Sequence, residues 1–169
     1  MFFYTSKIKN ICILQPRKLH LITKIPVKLI AINEGSHSKL INYKLNLITK
    51  VQILQVQEPS IKMNKQKTRY VWLKNSLYNN LTFARSLWTI KSKNQAEKNV
   101  FTDKPIGLLL IQKKIDMTRK IYDIYYSYCN QFNETEEIKK VVWGRKYKMY
   151  NNKIYEAIIQ EFFSQKIIY

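Results

Sequence analysis

The closing stretch Trp143–Tyr169, WGRKYKMYNNKIYEAIIQEFFSQKIIY, holds two alternating, aromatic-rich runs joined at Asn151-Asn152. Period-two alternation around a short Asn-containing turn predicts a β-hairpin. On its second strand the pattern sets Ile159, Glu161 and Phe163 on one face and Ile158, Gln160 and Phe162 on the other. Glu161 is therefore expected to point toward apolar surroundings, where a carboxylate is costly unless it is hydrogen-bonded, charge-paired or used. Taken alone, one glutamate in a strand is more often a surface residue or an ion-pair partner, here of Arg85.

Upstream of this hairpin the chain reads as helices followed by strands. VKLIAINEGSHSKLINYKL (27–45) has helical spacing, with Gly35 interrupting it and Ser36 placed to cap a second helix. LITKVQILQVQ (47–57) reads as a strand, and TRYVWLKNSLYNNLTFARSLWTI (68–90) as a hairpin turning near Asn79-Asn80. KNQAEKNV (93–100) is a polar helix or loop, and PIGLLLIQ (105–112) begins with proline at a first helical position. From Lys114 the alternation is imperfect, and a strand is expected to about Ile124, followed by the acidic loop NQFNETEEIKK (130–140). Sequential hairpins with few helices, no repeat and no Gly/Ser linker predict one α+β domain over 1–169, built on an antiparallel sheet. Residues 1–27 form an N-terminal extension or a first strand; the first twenty are basic, but lack the apolar core and cleavage pattern of a targeting peptide.

A length of 169 residues supports one real core, and 46% apolar residues argue for a folded chain. The net charge of +19 invites a nucleic-acid reading, yet only five of the 30 basic residues are arginine, at 17, 69, 85, 119 and 145. Lysine, isoleucine, asparagine and tyrosine are the residues an A+T-rich genome favours. Much of the charge is then a solvated, biased surface, and each arginine carries more information than any lysine. Cys12 and Cys129 suit a reducing compartment, with one disulfide between them left open. His20 and His37 stand outside any metal-ligand spacing, so no metal site is expected. IGLLLI is far shorter than the roughly 20 residues that cross a bilayer.

Five segments carry a family resemblance. FARSLW (83–88), KPIGLLL (104–110) and WGRKYKMYNNKIYEAIIQEFF (143–163) resemble, in order and spacing, the core motifs of the chorismate pyruvate-lyase family. EGSHSKLI (34–41) resembles that family's early helix start, and RYVWL (69–73) the opening of its first hairpin. No single motif is distinctive; the ordered set over residues 28–169 carries the likeness, which is closest to the plastid-encoded members of algae. The resemblance implies a sheet flanked by helices with a buried ligand pocket, and cleavage of chorismate to 4-hydroxybenzoate and pyruvate without metal or organic cofactor. It implies that Arg85 holds the ring carboxylate, that Glu161 lies near the ring hydroxyl, and that the backbone amide of Ile106 meets the carboxylate. His37 stands where the family has a methionine beside the ring, which bears on substrate identity. A plastid stromal location follows from the same likeness.

The residues are compatible with those roles. A guanidinium binds a carboxylate through a planar fork, and Arg85 sits between Phe83 and Leu87 on one face of its strand. The elimination removes a hydrogen from the hydroxyl-bearing ring carbon as the enolpyruvyl group departs, so much of the driving force is the substrate's own aromatisation. Arg145 and Arg119 are candidates for the second carboxylate, with structural roles as the simpler reading. The aromatic run Tyr122, Tyr125, Tyr126 and Tyr128 reads as core and sheet surface. Three functions stay open: a lyase, which requires Arg85 and Glu161 in one pocket; a non-enzymatic sensor of a small acid; and a basic nucleic-acid-binding protein without a recognised motif. The expected partner is a small aromatic acid such as chorismate, with no membrane span; the oligomeric state is open.

Overall fold

The computed structural model describes residues 8–14, 25–57, 66–75, 79–90, 104–129, 140–151 and 155–168. Seven strands, β1 (Ile8–Leu14), β2 (Lys50–Gln57), β3 (Gln66–Lys74), β4 (Asn80–Ile90), β5 (Thr118–Cys129), β6 (Lys140–Asn151) and β7 (Tyr155–Phe163), form one sheet in the order β1-β5-β6-β7-β4-β3-β2. Every neighbouring pair is antiparallel. The closing hairpin β6–β7 thus lies inside the sheet, where β7 joins the β2–β4 group to the β5–β6 group. That position puts Glu161 on a central strand, opposite Ala84 of β4 and Arg145 of β6.

Among the described residues four helices accompany the sheet: α1 (Ile25–Ile32), α2 (His37–Leu45), α3 (Ile106–Gln112) and the short α4 (Gln165–Ile168). Pro26 occupies the first turn of α1, where its missing N–H costs nothing. As expected, Ser36 caps α2, its hydroxyl accepting from the Lys39 amide at 3.4 Å. Asn46 ends the helix in the left-handed region (φ 50), its N–H donating to Asn42 O. Val27, Ile30, Ala31 and Ile41 bury against Leu73, Leu81, Phe163 and the C-terminal Ile167 and Ile168. A second cluster, with Trp88, Leu110, Met149, Ala157 and Ile159, covers the other end of the same strands. At roughly 1.5–3 kcal/mol for each large apolar side chain removed from water, these clusters supply the main driving force for the fold.

Three boundaries differ from the sequence reading. Strand β3 ends at Lys74 and β4 begins at Asn80, and the two ends are tied by Asn75 N–H to Asn79 O at 3.2 Å and by Asn79 N–H to Asn75 Oδ1 at 3.0 Å. Strand β5 begins at Thr118 instead of Lys114 and runs to Cys129, with a register shift between Ile121 and Asp123. That extra residue turns both Ile121 and Ile124 toward the core cluster, which is why the alternation there was imperfect. Residues 93–100, 130–139 and Asn152 lie outside the described set. Cys129 pairs with Ile8 whereas Cys12 pairs with Tyr126, so the cysteine Cα atoms are roughly 10 Å or more apart along the strands. Among the described residues no helix is long and apolar enough to cross a membrane.

Candidate functional site

Between the two apolar clusters, the helix-covered face of the sheet turns polar. The inward side chains of β4 are Thr82, Ala84, Ser86 and Trp88, and the small Ala84 and Ser86 line a recess. Its volume is about 560 Å³ with its open mouth included. Ala84 and Ser86 form the floor, Ile159 and Glu161 of β7 the neighbouring strip, and Arg69 of β3 the opposite one. His37 and Ser38 from the start of α2, with Pro105, Ile106 and Gly107 from the start of α3, form the lip.

Glu161 is 6% exposed and held at both oxygens. Arg145 Nε donates to Oε2 at 2.8 Å, and the Tyr147 hydroxyl donates to Oε1 at 2.9 Å. Burial alone would raise the carboxyl's pKa, but the charge of Arg145, then of His37 once acid has protonated it, and of Arg119, outweighs it and holds the group at about 2. The Tyr147 hydroxyl moves the other way, raised by burial and by the adjacent carboxylate. Arg119 stacks over the Tyr147 ring at 4.4 Å and lines the recess; its Nη1 donates to Gly35 O at 2.8 Å, and its Nε has no hydrogen-bond partner among the described residues. Arg69, 1% exposed, donates from Nη2 to Lys104 O at 3.3 Å, which ties the recess to the segment leading into α3.

His37 is buried. Its Nε2 lies 3.0 Å from Thr82 Oγ1, its ring is tilted against Phe163 at 5.0 Å, and its Nδ1 has no partner among the described residues. Burial, with the charges of Arg145 and Arg119 adding to it, lowers its pKa to about 4 against the opposing pull of Glu161, so the ring is neutral at pH 7.

The expected residues fall into three groups. Glu161, His37 and Ile106 all line the recess, and Ile159 and Phe163 share the face of Glu161 as the alternation required. Arg85 does not belong there. It pairs with Gln160, the residue before Glu161, so its side chain leaves the opposite face of the sheet; it is exposed and lies over the Tyr70 ring at 5.7 Å. The pairing of Arg85 with Glu161 in one pocket is therefore overturned, by the same period-two rule that placed Glu161. Arg145 also moves out of the ligand-contacting set. It is 0% exposed and does not line the recess; its Nε donates to Glu161 and its Nη1 to the carbonyls of Ile30, Ala31 and Asn33, while its Nη2 has no hydrogen-bond partner among the described residues. Its work is to fix the carboxylate and the end of α1.

Arg69 is the arginine the reading missed. Arg69, Val71 and Leu73 alternate toward the recess, but Tyr70 and Trp72 between them are also large, and a strand apolar on both faces hides its alternation. The scarcity of arginine was the usable signal. Among the described residues no three His, Cys, Asp or Glu side chains gather in a set able to hold a metal ion.

Comparison with known proteins adds to this geometry. A sequence model of the family described as "Chorismate pyruvate-lyase Rv2949c-like" matches residues 15–168. Among curated sequences, the chain is similar to "Uncharacterized protein ycf21" of Antithamnion sp., with 31% identity over 138 residues, 82% of this chain and 77% of the relative. The protein of the same description from Porphyra purpurea is 27% identical over 154 residues, 88% of this chain and 87% of the relative. That from Pyropia yezoensis is 27% identical over 157 residues, covering 90% and 89%.

Proposed function

The chain belongs to the Rv2949c-like chorismate pyruvate-lyase family, and on that footing we propose that it eliminates pyruvate from chorismate to give 4-hydroxybenzoate; the form of that reading that required Arg85 beside Glu161 has fallen, and Arg69, which lines the recess with Glu161, takes the role first expected of Arg85. The observation that carries the reading is one recess with an arginine at one end and a fixed carboxylate at the other. Arg69 pairs in register with Ser86, and Glu161 with Ala84, one strand further across. Two strand spacings and one two-residue step put their Cα atoms about 12 Å apart, which leaves room for a single six-membered ring over Ala84.

In this reading Arg69 grips the ring carboxylate through its fork, helped by the amide of Ile106 in the first turn of α3, where backbone N–H groups have no intrahelical acceptor. Arg119 takes the enolpyruvyl carboxylate. The C–O bond to the ring breaks with its electron pair leaving on the enolpyruvate. The hydroxyl-bearing carbon loses its proton, the ring becomes aromatic, and the enolpyruvate takes up a proton at its methylene carbon to become pyruvate. No cofactor is invoked. A carboxyl held at about 2 is a poor base near neutrality. Glu161 therefore serves as a fixed charge and hydrogen-bond acceptor, and the proton-moving role once open to it is set aside. Catalysis is orientation of a reactive conformer in a site partly closed to water. The plastid stroma is the compartment we assign, in line with the algal relatives.

The test is incubation with chorismate, following 4-hydroxybenzoate and pyruvate by chromatography against a no-enzyme blank. Arg69→Ala is expected to lower kcat/KM on the order of a hundredfold, the worth of a lost charge-assisted pair. Arg85→Ala is expected to leave it unchanged. No product from folded protein would discard the lyase in favour of a non-enzymatic small-acid sensor, the function for which a rigid, fully ionised Glu161 is equally suited.

A further inference from the structure

Helix α1, IPVKLIAI, has Lys28 as its sole charged side chain and is apolar on both faces. Val27, Ile30 and Ala31 turn to the core, where they pack with Leu73, Leu81 and Phe163. Ile25, Leu29 and Ile32 turn away and are 68%, 58% and 46% exposed. Positions 25, 28, 29 and 32 share one side of a helix, so three aliphatic side chains and the lysine form a single solvent-facing stripe. A helix apolar all round is normally buried on every side, which leaves this one short of a partner for half its surface. The stripe belongs to a larger surface. Both α1 and α2 touch α4, and α2 also touches α3, so the helices form one layer over the sheet. Tyr43 of α2, Ile48 just beyond it and Ile111 of α3 are likewise exposed by half or more. Single exposed apolar residues are ordinary, but six of the nine large ones among the described residues belong to this layer, which makes it a surface in want of a partner.

Charge identifies that partner. Residues 25–48, 104–114 and 165–168, which hold the helices and their ends, contain seven lysines and one acid, Glu34. We infer that the outward surface of this helix layer docks on a lipid bilayer whose headgroups are anionic. The aliphatic side chains enter the boundary between headgroups and acyl chains, and the surrounding lysines meet the headgroup phosphates. Lys28, half-buried within the stripe, reaches those headgroups by laying its methylenes along its aliphatic neighbours. A second copy of the chain is a poorer occupant, because each copy brings a charge of +19. A rigid protein partner needs a matching outline, whereas these side chains stand on three different helices and a bilayer adapts to their shape. No described helix is long and apolar enough to cross a membrane, so the contact is peripheral. The starts of α2 and α3 form the lip of the recess, so docking involves the helices that border the site, but the inference does not depend on what the recess binds.

The test is co-sedimentation with vesicles of phosphatidylglycerol and phosphatidylcholine in equal parts, at about 200 mM salt to suppress adsorption by charge alone. The wild-type protein is expected to bind them on the order of tenfold more tightly than vesicles of phosphatidylcholine. The double substitution Leu29→Ser with Ile32→Ser is expected to weaken binding on the order of tenfold, and Ile158→Ser, on the opposite face of the sheet, to leave it unchanged. Leu29→Trp keeps the stripe apolar and gives a reading that does not rest on the serine variant's folding. Its added emission is expected to be quenched by brominated phosphatidylcholine placed in the mixed vesicles. Absence of wild-type binding, equal binding to the neutral vesicles, equal effects of the helix and sheet substitutions, or unquenched emission from Leu29→Trp would overturn the inference. A wild-type dimer in sedimentation velocity that the serine variant loses would give the stripe to a second copy and overturn it as well.

Discussion

At the scale of the residue, the Arg145–Glu161 pair decides how the site behaves toward mutation and pH. Removing one member of a buried pair leaves the other charge uncompensated, so Glu161→Gln is expected to cost about 3–5 kcal/mol of stability at pH 7, measured by urea unfolding. The two buried titrating groups lose stability in separate acid windows. Glu161 is held at about 2 against an ordinary 4.5, so its contribution is complete above 4.5 and is lost as pH falls toward 2. His37 is held at about 4 against 6.5, so the unfolded chain takes its proton first and stability falls between pH 6.5 and 4. Each window corresponds to roughly 3 kcal/mol. His37→Gln is expected to flatten the upper window and leave the lower one; a wild-type protein equally stable at pH 7 and pH 4.5 would contradict this.

At the scale of the element, β7 is held in place from both sides, and Gly144 of β6 sets its distance. A Cβ at Gly144 would meet the Glu161 carbonyl oxygen at 2.5 Å and the Phe162 ring at 2.8 Å. The carbonyl belongs to a ladder strand and has nowhere to go, so Gly144→Ala is expected to lower stability by about 1–3 kcal/mol and to loosen the carboxylate beside it. A thermal midpoint equal to that of the wild-type protein would show that β6 and β7 shift apart at no cost. Strand β5 teaches the complementary lesson. Its bulge brings Arg119 to the recess and Ile124 into the core, a change of phase written in the pairing with β6 more than in the strand's own residues.

At the scale of the whole molecule, a net charge of +19 on 169 residues works against compaction. On the outer sheet face the lysines are only partly answered: Lys148 Nζ lies 2.7 Å from Glu156, and Lys146 Nζ 3.7 Å from Asp123, both pairs partly solvated. Such pairs contribute little. The melting temperature is therefore expected to rise between about 10 and 200 mM salt, as screening shortens the reach of like-charge repulsion from about 30 Å to below 10 Å. A midpoint that falls with salt would mean that attractive surface pairs outweigh the excess. The same screening should abolish loose binding to polyanions, while binding in the recess, shielded by its walls, should change much less.

The sequence determined the elements and their faces, because a strand's alternation and a helix's spacing are properties of neighbouring residues. Ile159, Glu161 and Phe163 on one face, Ser36 as the cap of α2, and the closing hairpin all follow from local pattern. The partners across the sheet belong to tertiary structure. Arg69 and Glu161 are 92 positions apart and meet at one recess because β7 inserts beside β4, while Arg85, nearer to Glu161 in sequence, is turned away by a single residue of register. The perturbed carboxylate likewise came from folding: Glu161 was marked as costly by its apolar neighbours, but only the arrival of Arg145 and Tyr147 from the adjoining strand, with the charge of Arg119 from β5, decided that it stays ionised. Local sequence sets which way a side chain points; long-range pairing sets what stands opposite it, and the chemistry of this site depends on the second.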